Sequence, residues 1–110
     1  MSDRPVVLII SGLDPANGAG IGRDIITVKE CGCHPVSIPS VLTVQNSISF
    51  ERSYPVDTGY ILDALGSLEK ELSFSSVKIG LLPFDEEWTG VLASFIERYS
   101  MPIVIDPVLK

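Results

Sequence analysis

Apolar residues fall in short unbroken runs bounded by proline or glycine, and between these runs they recur at helical spacing. Val6-Val7-Leu8-Ile9-Ile10, between Pro5 and Ser11-Gly12, suits a strand covered on both faces of a parallel sheet. Leu13 to Gly20 reads as a turn rich in Gly, Pro and Asn. Ile21, Ile25 and Val28, with Lys29 to Cys31, then predict a helix with one apolar side, stopped at Gly32. His34 to Thr43 holds Val36, Ile38, Val41 and Leu42 among Pro35 and Pro39, which predicts a second strand, irregular at its start.

Ile48 to Tyr54 alternates as a short edge strand. Asp57 or Thr58 then caps a helix that places Ile61, Leu65, Leu68 and Leu72 on one face. Val77 to Leu82 is the next main strand, and Pro83-Phe84-Asp85 punctuates the change to a helix with the stripe Trp88, Val91, Leu92, Phe95 and Tyr99. Asp85, Glu86 and Glu87 suit the dipole at its start. Pro102 to Ile105 reads as a last, buried strand. Alternating strands and helices predict an α/β fold: right-handed βαβ units forming an open, mostly parallel sheet with helices on both faces.

At 110 residues the chain makes one domain at most, and 45% hydrophobic against 20% charged residues is too apolar for disorder. Interruptions by Gly, Pro and charge rule out a membrane-spanning helix. A mean hydropathy of +0.35 points to more apolar surface than so small a core needs. Fourteen acidic against eight basic residues, net -6, argue against a nucleic-acid or anionic-membrane partner, since either calls for a basic stripe. Cys31 and Cys33 are too close for an ordinary disulfide, and no other cysteine exists to pair with them. A reducing compartment follows, and since Val6 to Ile10 is too short for a signal-peptide core, the cytoplasm is the expected location.

Ligands of open parallel sheets bind beyond the C-terminal strand ends, which here are residues 12–24, 43–46, 80–82 and 106–110. The loop Gly12 to Gly22 lets backbone approach a ligand and offers helix N-terminal N–H groups, or is simply a turn needing positive φ. It is neither a dinucleotide fingerprint, since Arg23 stands where the last glycine would be, nor a P-loop. Gln45 and Asn46 could read the edge of a heterocycle, or bond their own turn. Asp106 could hold a metal ion or water near phosphates, or turn the chain at a strand end. Cys31, Cys33 and His34 are too few for structural zinc and read as packing, with Cys31 closing a helix face and Cys33 entering a strand. The stripe from Trp88 to Tyr99 reads as core, and Glu69 to Glu71 as a solvated helix face.

Four segments in register carry a resemblance over essentially the whole chain: Gly12-x-Asp14-Pro15-x-x-Gly18-Ala19-Gly20-Ile21-x-x-Asp24, Val41-Leu42-Thr43-Val44-Gln45-Asn46, Val77-Lys78-Ile79-Gly80-Leu81-Leu82 and Val104-Ile105-Asp106-Pro107-Val108. Together they resemble hydroxymethylpyrimidine/phosphomethylpyrimidine kinases of thiamine biosynthesis. The resemblance implies a ribokinase-like fold. It also implies ATP- and Mg2+-dependent phosphorylation of 4-amino-5-hydroxymethyl-2-methylpyrimidine and then of its monophosphate. Gln45 would hydrogen-bond the aminopyrimidine. Gly12, Ala19 and Asp24 would line the pocket, with the backbone around Thr43 and Val44 on another side. Leu81 would take a position usually held by methionine, Val108 would close the pocket near the phosphate end, and Asp106 would sit towards magnesium and the ATP phosphates.

The chain departs from the family pattern at Leu13, at Asn17, where a glycine is usual, and at Gly22-Arg23. By the same resemblance, the anion hole, catalytic base and most adenine contacts belong to a C-terminal half. Residues 1–110 are therefore expected to be the N-terminal, pyrimidine-binding part of a truncated kinase domain, inactive by itself. Ile103 to Ile105, an interior strand by pattern, is then expected to associate with that half or with another copy. The alternatives are a non-catalytic pyrimidine-binding module and a kinase for another B-vitamin alcohol such as pyridoxal.

Overall fold

A computed structural model describes residues 3–80 and 86–106, without the side chains at positions 86, 88 and 89. The elements are β1 (Val6–Leu13), α1 (Gly20–Glu30), β2 (His34–Gln45), β3 (Phe50–Pro55), α2 (Thr58–Glu69), β4 (Ser76–Ile79), α3 (Glu86–Arg98) and β5 (Ile103–Ile105). The sheet order is β3-β2-β1-β4-β5, with only β3 antiparallel to its neighbour. The expected turn at 83–85 and the site positions Leu81 and Val108 lie outside the described residues, as does the Trp88 side chain of the helical stripe.

β1 is the middle strand and its two faces meet different helices. Val6, Leu8 and Ile10 share one core with Ile38, Val77, Ile79, α2 residues Ile61 and Leu65, and α3 residue Phe95. Ile9, on the opposite face, is also fully buried, and there α1 packs across β1 and β2 with its buried Ile21. Helices thus cover both faces, and burial of each such aliphatic side chain stabilises the fold by about 1.5–3 kcal/mol.

The prolines do not break β2. The N–H of His34 donates to the Pro5 carbonyl of the β1 side at 2.8 Å, so by alternation residues 35, 37 and 39 direct their backbone groups away from β1. Pro35 and Pro39 therefore lack a donor only where β1 needs none. β3 pairs with β2 from Val41 to Gln45, beyond the prolines.

α1 ends in a Schellman motif. The N–H of Gly32, at φ 80, donates to the Lys29 carbonyl, and that of Cys33 to the Val28 carbonyl. This turns Cys31 outward, so it is exposed rather than closing an apolar face. At α2 the N-cap is Asp57, without a side-chain cap bond. Thr58, the other expected cap, is the first helical residue, and its hydroxyl bonds the Glu87 carboxylate of α3. Glu69 is not idle in solvent either: its carboxylate takes Arg98 at 2.6 and 2.7 Å and the Tyr99 hydroxyl, and so ties α2 to the end of α3. No helix among the described residues is long and apolar enough to cross a membrane.

β5 corrects the expectation of a buried strand. Ile103 is half-buried against the core, but Val104 is 58% and Ile105 48% exposed on the outermost strand beside β4. Unpaired apolar edges template association.

Two outcomes follow. Leu8→Ala should lower the unfolding free energy by about 3 kcal/mol in urea titration, whereas Ile48→Ala, at a 93% exposed position, should change it by less than about 0.5 kcal/mol. In sedimentation velocity the protein should self-associate at micromolar concentration, and Val104→Lys should shift it towards monomer. A wild type that stays monomeric throughout would refute the reading of β5 as a sticky edge.

Candidate functional site

The C-terminal ends of β1, β2 and β4, the segment just after β5 and the start of α1 enclose a cleft of about 300 Å³. It lies where a parallel α/β sheet places ligands. Its walls follow from how each strand ends.

The chain leaves β1 through Asp14, which is buried and gathers the following loop around its carboxylate. Oδ1 accepts the N–H of Ala16 at 2.9 Å, and Oδ2 accepts those of Gly18 at 3.0 Å and Ala19 at 3.2 Å. The loop's N–H groups at Gly18 and Ala19 are therefore committed inside the protein and not offered to a ligand. Asn17 sits at φ 57, a left-handed conformation that asparagine tolerates better than most other side chains. Gly20 has φ 70, and a Cβ there would fall against the Gly12 carbonyl oxygen. Backbone touches backbone at this point, so α1 starts directly over the end of β1.

At the end of β2 the alternation of the strand sorts the candidates. Thr43 is buried and Gln45 half-buried, and both line the cleft. Val44, between them, turns its side chain to the other face, 39% exposed and outside the cleft. The Thr43 hydroxyl donates to the Leu13 carbonyl at 2.8 Å. A carbonyl can only accept, so the hydroxyl proton is committed and Thr43 Oγ1 must in turn accept from Gln45 Nε2, at 2.8 Å. This fixes the amide: Oε1 and one N–H of Gln45 remain available. Asn46 takes the turn role, its Oδ1 accepting the N–H groups of Ile48 at 2.8 Å and Ser49 at 3.0 Å.

β4 brings a group that the pattern of apolar residues concealed. Lys78 lies on the α1 side of the sheet, where its Nζ meets Asp24 Oδ1 of α1 at 2.5 Å and Asp106 Oδ2 at 3.7 Å. Asp24 Oδ2 is buried with no hydrogen-bond partner among the described residues. Beyond β4, a Cβ on Gly80 would fall against the Ser11 hydroxyl, so only glycine lets this segment pass β1 so closely.

The cleft thus brings together six of the expected residues, Gly12, Ala19, Asp24, Thr43, Gln45 and Asp106. It adds Asp14, Arg23 and Lys78, for which the sequence offered no role. Nothing local could have paired Lys78 with Asp24, 54 residues away.

A family model described as phosphomethylpyrimidine kinase matches residues 14–110. A hydroxymethylpyrimidine/phosphomethylpyrimidine kinase of Aquifex aeolicus is 30% identical over 105 residues, which are 96% of this chain and 41% of that protein. The chain therefore spans less than half the length of this curated relative. The crystal structure of a phosphomethylpyrimidine kinase from Clostridium difficile superimposes with a TM-score of 0.84 at 23% identity, over 94% of this chain and 45% of that one. An ADP complex of Bacillus subtilis pyridoxal kinase also gives 0.84, at 26% identity, over 97% and 42%. The fold is ribokinase-like, and the chain belongs to the phosphomethylpyrimidine kinase family.

Proposed function

We propose that this chain supplies the aminopyrimidine-binding part of a kinase that transfers the γ-phosphoryl group of ATP, with magnesium, to 4-amino-5-hydroxymethyl-2-methylpyrimidine and to its monophosphate. The observation that carries this reading is the Gln45 amide, held in the cleft by Thr43 with one acceptor and one donor free. An aminopyrimidine presents the complementary pair, an exocyclic amine that donates and a ring nitrogen that accepts. Membership of the family supports the same reading. The cleft is at the lower end of the size range of small-molecule sites and suits a single ring.

Asp106 is the residue that would hold magnesium. Its carboxylate lies past the end of β5 with 62% of the side chain exposed, and magnesium takes such oxygen ligands together with phosphates and water. The ion would neutralise charge on the phosphoryl groups. Lys78, between the two carboxylates, pairs closely with Asp24 while leaving Asp106 only loosely engaged. A second reading, a kinase for a pyridine alcohol, is favoured by the equally good superposition on pyridoxal kinase, and direct comparison of the two ligands separates them.

Gln45→Leu should weaken aminopyrimidine binding by about 1–3 kcal/mol, seen as a rise of roughly tenfold or more in Kd by calorimetry, with an unchanged urea midpoint. Unchanged affinity would remove Gln45 from the site, and tighter binding of pyridoxal than of the aminopyrimidine would favour the second reading. Lys78→Met leaves the Asp24 carboxylate without its counter-charge and should cost about 2 kcal/mol of stability, below the fully buried case because Lys78 keeps 28% of its side chain exposed. Pairing it with Asp24→Asn should recover most of that loss in the same urea titration.

A further inference from the structure

We propose that Arg23 forms an anion subsite in the cleft and makes the site prefer a phosphorylated ligand, the aminopyrimidine monophosphate, over the neutral alcohol. This rests on the aminopyrimidine reading of the cleft. It follows from the charges that line it: Asp14, Arg23, Asp24, Lys78 and Asp106. Asp14 is satisfied by three loop N–H groups. Lys78 is held between Asp24 and Asp106. Arg23 is exposed, and its guanidinium has no hydrogen bond or ion pair among the described residues. Among the described residues it is therefore the cation of this cleft whose charge is not already met.

Its surroundings favour an anion. Arg23 lies in the first turn of α1, which carries no acidic residue of its own; Asp14, whose carboxylate reaches the N-cap Ala19, is taken up by the N–H groups of Ala16, Gly18 and Ala19. A guanidinium matches phosphoryl oxygens with two parallel hydrogen bonds. The neighbouring residue makes the opposite demand, because Asp24 Oδ2 is buried and has no donor among the described residues. The cleft is thus complementary to a ligand carrying both a hydrogen-bond donor and a phosphoryl group. An aminopyrimidine monophosphate carries both, whereas the alcohol leaves Arg23 without a counter-charge. A nucleotide is the other source of phosphoryl groups, and the test separates the two.

The test is calorimetric titration of wild type, Arg23→Gln and Arg23→Lys with the alcohol, the monophosphate, ADP and inorganic phosphate, at low and high salt. The monophosphate should bind wild type roughly tenfold more tightly than the alcohol, and this preference should shrink with salt. Arg23→Gln should abolish the preference while leaving alcohol affinity within about twofold, and Arg23→Lys should keep part of it, as expected for a point charge without the fork. Equal affinity for the two pyrimidines in wild type, a preference that survives Arg23→Gln, or an equal loss for both ligands overturns the inference and leaves the aminopyrimidine reading standing. So does an Arg23 effect confined to ADP. If wild type binds neither pyrimidine, that reading fails by itself. Inorganic phosphate then decides the subsite: binding lost in Arg23→Gln supports it, and no binding to wild type overturns it.

Discussion

The end of β1 has to be approached from three sides within three residues. Ser11 is met by Gly80, Gly12 by Gly20, and the Leu13 carbonyl by the Thr43 hydroxyl. β1 is the middle strand and is buried on both faces, so it cannot yield to larger neighbours. The approaching segments must instead be reduced to bare backbone or to one short hydroxyl. Each meeting point also sets one wall of the cleft: the segment beyond β4, the start of α1 and the end of β2. The shape of the site is therefore a by-product of closing a parallel sheet around one strand end.

The electrostatics obey a similar economy. A lysine in the middle of a short strand between two others is tolerated because α1 presents a carboxylate to it across the sheet face. That pairing ties the start of α1, which packs on β1 and β2, to β4, an element far away in sequence. The cleft is lined by two sets of groups, the hydrogen-bonding ones of Gln45 and Thr43 and the charged ones of Arg23, Asp24, Lys78 and Asp106. Asp14 belongs to neither. Its carboxylate replaces the solvent that a tight loop would otherwise need for its N–H groups, and so makes the loop rigid.

Strand positions, the parallel sheet and most of the cleft were legible in the sequence because they rest on short-range pattern: apolar runs, period-two alternation and glycines placed just after strands. Val6 to Ile10 and Ile61 with Leu65 behave as their spacing dictates. What escaped the pattern depends on contacts between distant segments. Lys78 sits inside an apolar run and looks incidental until Asp24 is folded against it. Glu69 has the polar surroundings of a solvent-facing residue, yet Arg98 and Tyr99 reach it from the end of another helix. Cys31 looked apolar by helical position, but the Schellman turn ends the helix there and rotates it outward. β5 was read as interior because sequence pattern reports what a strand is built to contact, and among the described residues only one side of it has a partner.

The prolines of β2 bear on more than the strand that holds them. A hairpin strand can slide along its partner in steps of two residues without reversing its faces. Were β3 to slide towards the start of β2, it would meet Pro39 and then Pro35, where no N–H is available to the ladder. The prolines therefore act as a ratchet stop, and the Asn46 turn blocks movement in the other direction. Between these two stops Gln45 has one permitted opposite number, Phe50. The depth at which its amide enters the cleft is thus set from the far end of the strand, by two residues that never touch the site.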